Sequence, residues 1–256
     1  MAIDEAILHT VGTGDVPPTL RLYAWDPPCI SLGYAQPSAD IDRTLLDKKG
    51  WQIVRRPTGG RAILHTDEIT YAVISPHGEP RLAGSVLESY QRLSQALLLA
   101  LRYLGIPAEA LPLPPGYTPE KSKSKPVCFE VPSKYEITVN GKKLIGSAQA
   151  RKKPGVLQHG SLPLYGDLTR IVSVLNLPDE ETRSRTARSL LGHACTIQSV
   201  LRRHIPWEEA AQALTSAFSD ALNLNLQPGE LLPEEIRLAE ELLETKYANP
   251  EWTNRI

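Results

Sequence analysis

The sequence has no cysteines at disulfide or ligand spacing, no apolar run long enough to cross a bilayer, and no excess of charge of either sign. Its three cysteines, Cys29, Cys128 and Cys195, are an odd number and form neither a CxxC nor a Cys/His pattern. This argues against a disulfide framework and against a metal site. A net charge of −1 excludes a dedicated nucleic-acid binder, since such domains carry a clear basic excess. No window approaches the roughly 18 apolar residues of a membrane span, and the first residues lack the charged and apolar regions of a signal peptide. The expectation is a cytoplasmic protein with no membrane partner. At 256 residues the chain is long enough to bury a full core without disulfides or metals.

What is present is a strand-rich first part and a helical second part. "MAIDEAILHTV" reads as an amphipathic helix, with Ile3, Ile7 and Leu8 on one face and Asp4 and Glu5 favourable to the dipole in the first turn. "TLRLYAW" and "CISLGY" read as strands, and "DIDRTLLDKKG" as a short helix ended by Gly50. "WQIV" reads as a buried strand and "EITYAVIS" as a half-exposed one, with Ile69, Tyr71 and Val73 alternating. "SVLESYQRLSQALLLALRYLG" starts with a capping box, Ser85 and Glu88, and stops at Gly105. Residues 110–126 hold five prolines and four charges without periodicity, and read as an exposed, mobile Pro/Lys-rich loop. In "KYEITVNGKKLIGSAQAR", Asn140-Gly141 between alternating strands predicts a type I′ hairpin, and "GVLQHGSLPL" a third antiparallel strand. The remainder reads as helices: one over 167–176, one near "SLLGHACTIQSVL", one with Pro206 at its N1 position and a last one starting near Pro233. Strands first and helices afterwards predict an α+β fold, a mixed or antiparallel sheet with packed helices, as a single domain over 1–256.

The densest cluster of unusual residues is "RRPTGGRAILH", 55–65. Gly59 and Gly60 allow positive φ and let a ligand lie against the backbone. Arg55 and Arg56 do not suit a core and, with His65 nearby, point to a binding loop. Cys128, in "KSKSKPVCFEVPSKYE", is flanked by lysines that favour its thiolate; its alternative is a small apolar residue at a sheet edge. The apolar flanks of Cys29 and Cys195 place those two in the core. Lys142 and Lys143 alternate across a strand, so one points to solvent and the other to the face of Ile137 or Val139. His65 and His159 are candidates for a general base or for ligand orientation, whereas His9, His77 and His204 read as surface residues.

Taken together, "RRPTGGRAILH", "GKKLIGSAQAR", "LQHGSL" and "ETKYANPEW" resemble, in order and over nearly the whole chain, the lipoate/octanoate transferase and ligase family, whose catalytic domain shares its fold with biotin protein ligases. "PVCFEVPSKYE" is similar to the nucleophile signature of the cysteine-dependent octanoyltransferases of the LipM type. The resemblance implies Cys128 as the acyl-accepting thiol and Lys143 as the active-site lysine. It also implies a substrate-binding wall of Arg55, Arg56, Thr58, Gly59, Gly60, His65, Gly146, Ser147, Ala148, Gln149, His159, Gly160 and Ser161, with no cofactor and no metal. The implied donor is octanoyl-acyl carrier protein. The implied acceptor is an apo lipoyl domain, that of the glycine cleavage H protein or a dehydrogenase E2 subunit, and the enzyme is expected to be a monomer. Lys121, Lys123 and Lys125 would then steer an acidic carrier protein. Members of the family begin with a strand before the first helix, so the expectation is that this first strand is missing ahead of "MAIDEAIL". The readings from other classes are an ATP-dependent lipoate–protein ligase, an octanoyl or lipoyl amidotransferase, and a noncatalytic binder of acyl chains or lipoyl domains.

Overall fold

The computed structural model describes residues 1–14, 16–112, 126–127, 135–152 and 154–256, with the side chains of 111, 112 and 135 left aside. Cys128, Lys121, Lys123 and Lys125 lie outside the described residues.

Among the described residues, two sheets and eight α-helices form the α+β fold that the sequence predicts. Strands β1 (Thr19–Tyr23), β5 (Glu68–Pro76), β6 (Glu109–Pro112), β7 (Tyr135–Val139), β8 (Lys142–Lys152) and β9 (Gly155–Pro163) make a six-stranded sheet in the order β1-β5-β9-β8-β7-β6. Every neighbouring pair in it is antiparallel. A second sheet joins β2 (Cys29–Leu32) to β3 (Gln52–Arg55) in parallel and to β4 (Ile63–His65) antiparallel.

Helix α3 (Val86–Tyr103) and helix α6 (Trp207–Leu222) cover one face of the large sheet, packing Leu93, Leu97, Leu101, Leu214 and Phe218 against Ile69, Tyr71, Ile137 and Ile145. Helix α1 (Ala2–Thr13) covers the other, with Ile7, Leu8 and Val11 on Ala72, Ile74 and Leu157. Strand β5 is therefore buried on both faces, not half-exposed as its alternation suggests: Thr70, Ala72 and Ile74 are as inaccessible as Ile69 and Tyr71, because helices lie on both sides.

The local signals behave as their chemistry requires. The Ser85/Glu88 capping box closes reciprocally, Gly105 ends α3 at φ +79°, and Asn140 and Gly141 both take positive φ, as a type I′ turn demands. Four expectations change. Residues 110–112 are not loop but the end of edge strand β6, paired with β7. The stretch over 167–176 forms a 3₁₀ helix, Leu168–Val174. "SLLGHACTIQSVL" is split between α4 (Glu180–His193) and α5 (Ile197–Leu201), because Ala194 leaves the helix to bridge Lys143 and the Cys195 amide donates to the Lys143 carbonyl at 3.1 Å. Pro206 is the N-cap of α6, one residue before the predicted position. Helix α7 (Pro233–Leu242) packs on α1, and α8 (Pro250–Asn254) lies against β3. No helix among the described residues is long and apolar enough to cross a membrane.

Candidate active site

The two sheets meet at a cavity of about 40 Å³. Ser31, Ile63 and His65 come from the small sheet, and Arg56 and Gly60 from the glycine loop. Thr70, Gly146, Ser147, Ala148, His159, Gly160 and Ser161 come from the large sheet, with Met1 and Trp25 closing it. Most of the residues that the sequence motifs name therefore converge, although they come from segments far apart in the chain. A wider cleft of about 790 Å³ opens beyond Trp25; of the motif residues, only Tyr247, Ala248 and Pro250 of "ETKYANPEW" line it.

The arginines do not behave as the sequence suggests. Arg55 is fully buried and lies outside the cavity. Its Nη1 donates to the carbonyls of Gly33, Tyr34 and Gln36, and its Nε and Nη2 to that of Thr253 in α8. Trp252 returns a hydrogen bond from Nε1 to the Arg55 carbonyl at 2.8 Å, so "ETKYANPEW" acts here as a clasp on β3. Arg56 curls under its own loop. Its guanidinium donates to the carbonyls of Gly59 at 2.9 Å, Arg61 at 2.8 Å and Ser31 at 2.7 Å. Arginine suits such burial because its planar fork meets several carbonyls at once. Gly60 takes φ +99°, and a Cβ there would meet Arg56 Nη2 at 2.7 Å; a Cβ on Gly33 would meet the Gly60 carbonyl at 2.0 Å. The loop thus lies backbone against backbone on the end of β2.

His65 is held at both ring nitrogens. Nδ1 is 2.6 Å from Glu68 Oε1 and Nε2 is 2.7 Å from Ser31 Oγ, while the ring stacks on Trp25 at 4.4 Å between centroids. Arg56 Nη1 also donates to Ser31 Oγ at 3.1 Å, so the serine hydroxyl ties the imidazole to the glycine loop while Nδ1 faces the carboxylate. Glu68 further accepts from Thr70 Oγ1 at 2.5 Å and from Ser161 Oγ. Burial pushes the Glu68 carboxyl up, but His65 and these hydroxyls outweigh it and hold it below the usual carboxylate range.

His159 is arranged the same way. Nε2 meets Thr58 Oγ1 at 2.6 Å and Nδ1 faces Asp4 Oδ2 at 4.0 Å. Burial lowers its pKa and outweighs the opposing pull of Asp4. Asp4 is wholly buried, accepting from Arg21 Nη1 at 2.7 Å and from the Tyr23 hydroxyl at 2.9 Å. With each ring nitrogen turned to a protein partner, both histidines shape the wall and are poorly placed to take a proton from a thiol.

Ser147 joins the cavity to a buried polar ladder, since its Oγ is 2.7 Å from the Tyr71 hydroxyl, which accepts from Gln158 Nε2. Gln149 does not line the cavity; its Nε2 donates to Gln158 Oε1 at 2.8 Å and anchors the far end of that ladder. Gly59 is exposed at the rim. Lys142 is exposed and donates to the Leu191 carbonyl at 2.6 Å, whereas Lys143 is buried, with Nζ 2.9 Å from Glu136 Oε1. Lys143 stands opposite Thr138 and so shares that face, not the face of Ile137 and Val139. Cys29 and Cys195 are buried, with thiols pushed up by burial to about 12 and about 11. Neither offers a thiolate at neutral pH. Val127, which precedes Cys128 in the chain, is buried and bridges Ala62. The Ala62 amide donates to the Pro126 carbonyl at 3.0 Å, so residues 126–127 run along the end of the glycine loop. Among the described residues, no group of His, Cys, Asp and Glu side chains could hold a metal ion.

Sequence reasoning missed Asp4, Trp25, Ser31, Glu68 and Thr70. For Asp4 a signal existed: with Ile7, Leu8 and Val11 it completes the i, i+3, i+4, i+7 pattern of the apolar face. The others depend on a contact between sheets that no local pattern records.

The cavity is thus lined by the two sheets, with a glycine loop on one side and small residues on the other. The family model described as the lipoyl protein ligase A/B catalytic domain matches residues 1–219, and the chain belongs to that family. It is 43% identical over 257 residues to an octanoyltransferase LipM of Kyrpidia tusciae, covering 100% of this chain and 93% of that protein. It is 42% identical over 258 residues to one of Brevibacillus brevis, covering 100% and 94%. Among solved structures it is similar to a bi-partite lipoate protein ligase of Thermoplasma acidophilum, described with its E2 lipoyl domain. That likeness has a TM-score of 0.79 at 24% identity and covers 100% of this chain and 91% of that one.

Proposed function

We propose that the chain is an octanoyltransferase that moves an octanoyl group from octanoyl-acyl carrier protein to a lysine of a lipoyl domain, through a thioester on Cys128. The observation that carries this reading is the full-length likeness, at 42 to 43% identity, to octanoyltransferases. The route is ping-pong. The Cys128 thiolate attacks the carrier thioester, the bond to the carrier sulfur breaks and the carrier leaves as its thiol. The lysine amine of the acceptor then attacks the enzyme thioester, an amide forms and the Cys128 thiol is regenerated. The Lys143 ammonium favours the thiolate, and the cavity between the sheets takes the alkyl chain. Neither ATP nor a metal ion enters this route, which would run in the cytoplasm on a monomer.

The test is the intact mass of the protein after incubation with octanoyl-acyl carrier protein without ATP. The wild type gains one octanoyl group and loses it to an apo lipoyl domain, whereas Cys128→Ala gains none. The fold is equally that of a lipoate ligase. Acylation of the lipoyl domain only when free acid and ATP are supplied, with no adduct on the protein, would establish that reading instead.

A further inference from the structure

We propose that Glu136, acting with a bulge in β8, is the positioning residue of Lys143, turning its ammonium onto the sheet face that carries the cavity. This rests on the octanoyltransferase reading above and adds a residue to it.

The hairpin register makes the case. Val139 is opposite Lys142 and Thr138 opposite Lys143, but Ile137 is opposite Ile145, so β8 carries one extra residue. Directly opposed residues share a face and successive ones alternate. Ile137 and Ile145 belong to the core under α3, and Leu144 belongs to that same core. Two successive residues on one face mark the bulge, and the alternation is reset across it. Lys143 therefore returns to the face of Gly146 and Ala148, both of which line the cavity. Without the bulge Lys143 would share a face with Ile145 and enter the apolar core. Re-aiming a side chain beside a site is a recurrent use of bulges.

Turning the side chain is half of the task, because an ammonium with 4% exposure must meet an anion or lose its proton. The side chain directly opposite is Thr138, yet the Thr138 hydroxyl is buried without a hydrogen-bond partner. The ammonium goes instead to the diagonal neighbour Glu136, at 2.9 Å. The ion pair thus draws Nζ along the sheet face towards Glu136. Among the described residues, the titratable groups around Lys143 are Glu136 on β7, Tyr90 across the sheet on α3, and Cys195, whose Sγ lies 3.8 Å from the Lys143 carbonyl.

The test compares wild type, Glu136→Gln and Glu136→Asp in single-turnover octanoylation from the carrier thioester between pH 6 and 10, with far-UV circular dichroism of each. The expected result is a rate at least about tenfold lower for Glu136→Gln, with the apparent KM for the carrier within twofold. The limb of the pH profile that Lys143 governs should also move to lower pH, because loss of the carboxylate removes the charge that favours the ammonium. Glu136→Asp keeps the wild-type limb and recovers part of the rate. An unshifted limb in a folded Glu136→Gln overturns the proposal. If that variant does not fold, Glu136→Asp decides by itself: a slower rate on an unshifted limb supports the proposal, and an unchanged rate overturns it. No octanoylation of the wild type would instead remove the reading on which this one stands.

Discussion

The glycine loop and the β7–β8 hairpin both bury cations, and they satisfy them in opposite ways. Arg55 and Arg56 are surrounded by backbone carbonyls of the loop, of the end of β2 and, for Arg55, of α8. Lys143 has a carboxylate. A guanidinium spread over neutral oxygens is a permanent brace that cannot change its protonation. An ammonium held by one anion keeps a charge that can act on a neighbour and answers to pH. The motif that looks most reactive in the sequence is thus framework, and on the route proposed above the plainer hairpin lysine is the chemical group.

The sharpest test of that contrast is Lys143→Arg. It keeps the charge but not the compact ammonium, so we expect octanoyl transfer to fall by about 10²–10³ while the urea midpoint hardly moves. A comparable loss of stability would merge the two regions into one class. Arg55→Ala should do the reverse at nearly the same free energy. Four carbonyls lose their donor, and we expect unfolding to become easier by about 3 kcal/mol, read from urea denaturation; a loss below about 1 kcal/mol would mean that the brace is dispensable. Gly60→Ala should cost about 2 kcal/mol and should lower octanoyl transfer as well, because the new Cβ must displace the Arg56 guanidinium that shapes the rim. The smallest effect is on pH dependence. His159 has a folded pKa below its ordinary 6.5, so between those values the unfolded chain binds the extra proton. Its contribution to stability is therefore present above about pH 6.5 and is lost as pH falls towards the folded value. A His159→Asn variant should show a flatter stability profile over that interval, measured by urea midpoints at successive pH values.

Elements set by local chemistry were legible in the sequence: the capping box of α3, the glycine that ends it, and the Asn140-Gly141 turn. The glycine loop and the two histidine motifs were legible as site material, and they do come together. What the sequence hid has a common cause. The burial of Arg55 depends on carbonyls supplied by residues 33–36 and 253, the alternation of β5 is erased by helices arriving on both faces, and the α4–α5 break follows from a bridge to Lys143. The β8 bulge is invisible for the same reason, since a register shift belongs to a pair of strands and leaves no mark on either alone. Period-two alternation leaves open which of Lys142 and Lys143 points inside, and the face it names for that lysine, that of Ile137 or Val139, is not the one Lys143 takes.

The cavity wall is built largely from the smallest residues: Ser31, Gly60, Gly146, Ser147, Ala148, Gly160 and Ser161. Nearly every codon change at these positions adds atoms, so random drift has a direction there. It narrows the chamber and, on the function proposed above, shortens the chain that fits. A lineage adapting to longer chains cannot obtain room from this wall and must trim the bulkier residues around it, whereas one adapting to shorter chains has many single steps available.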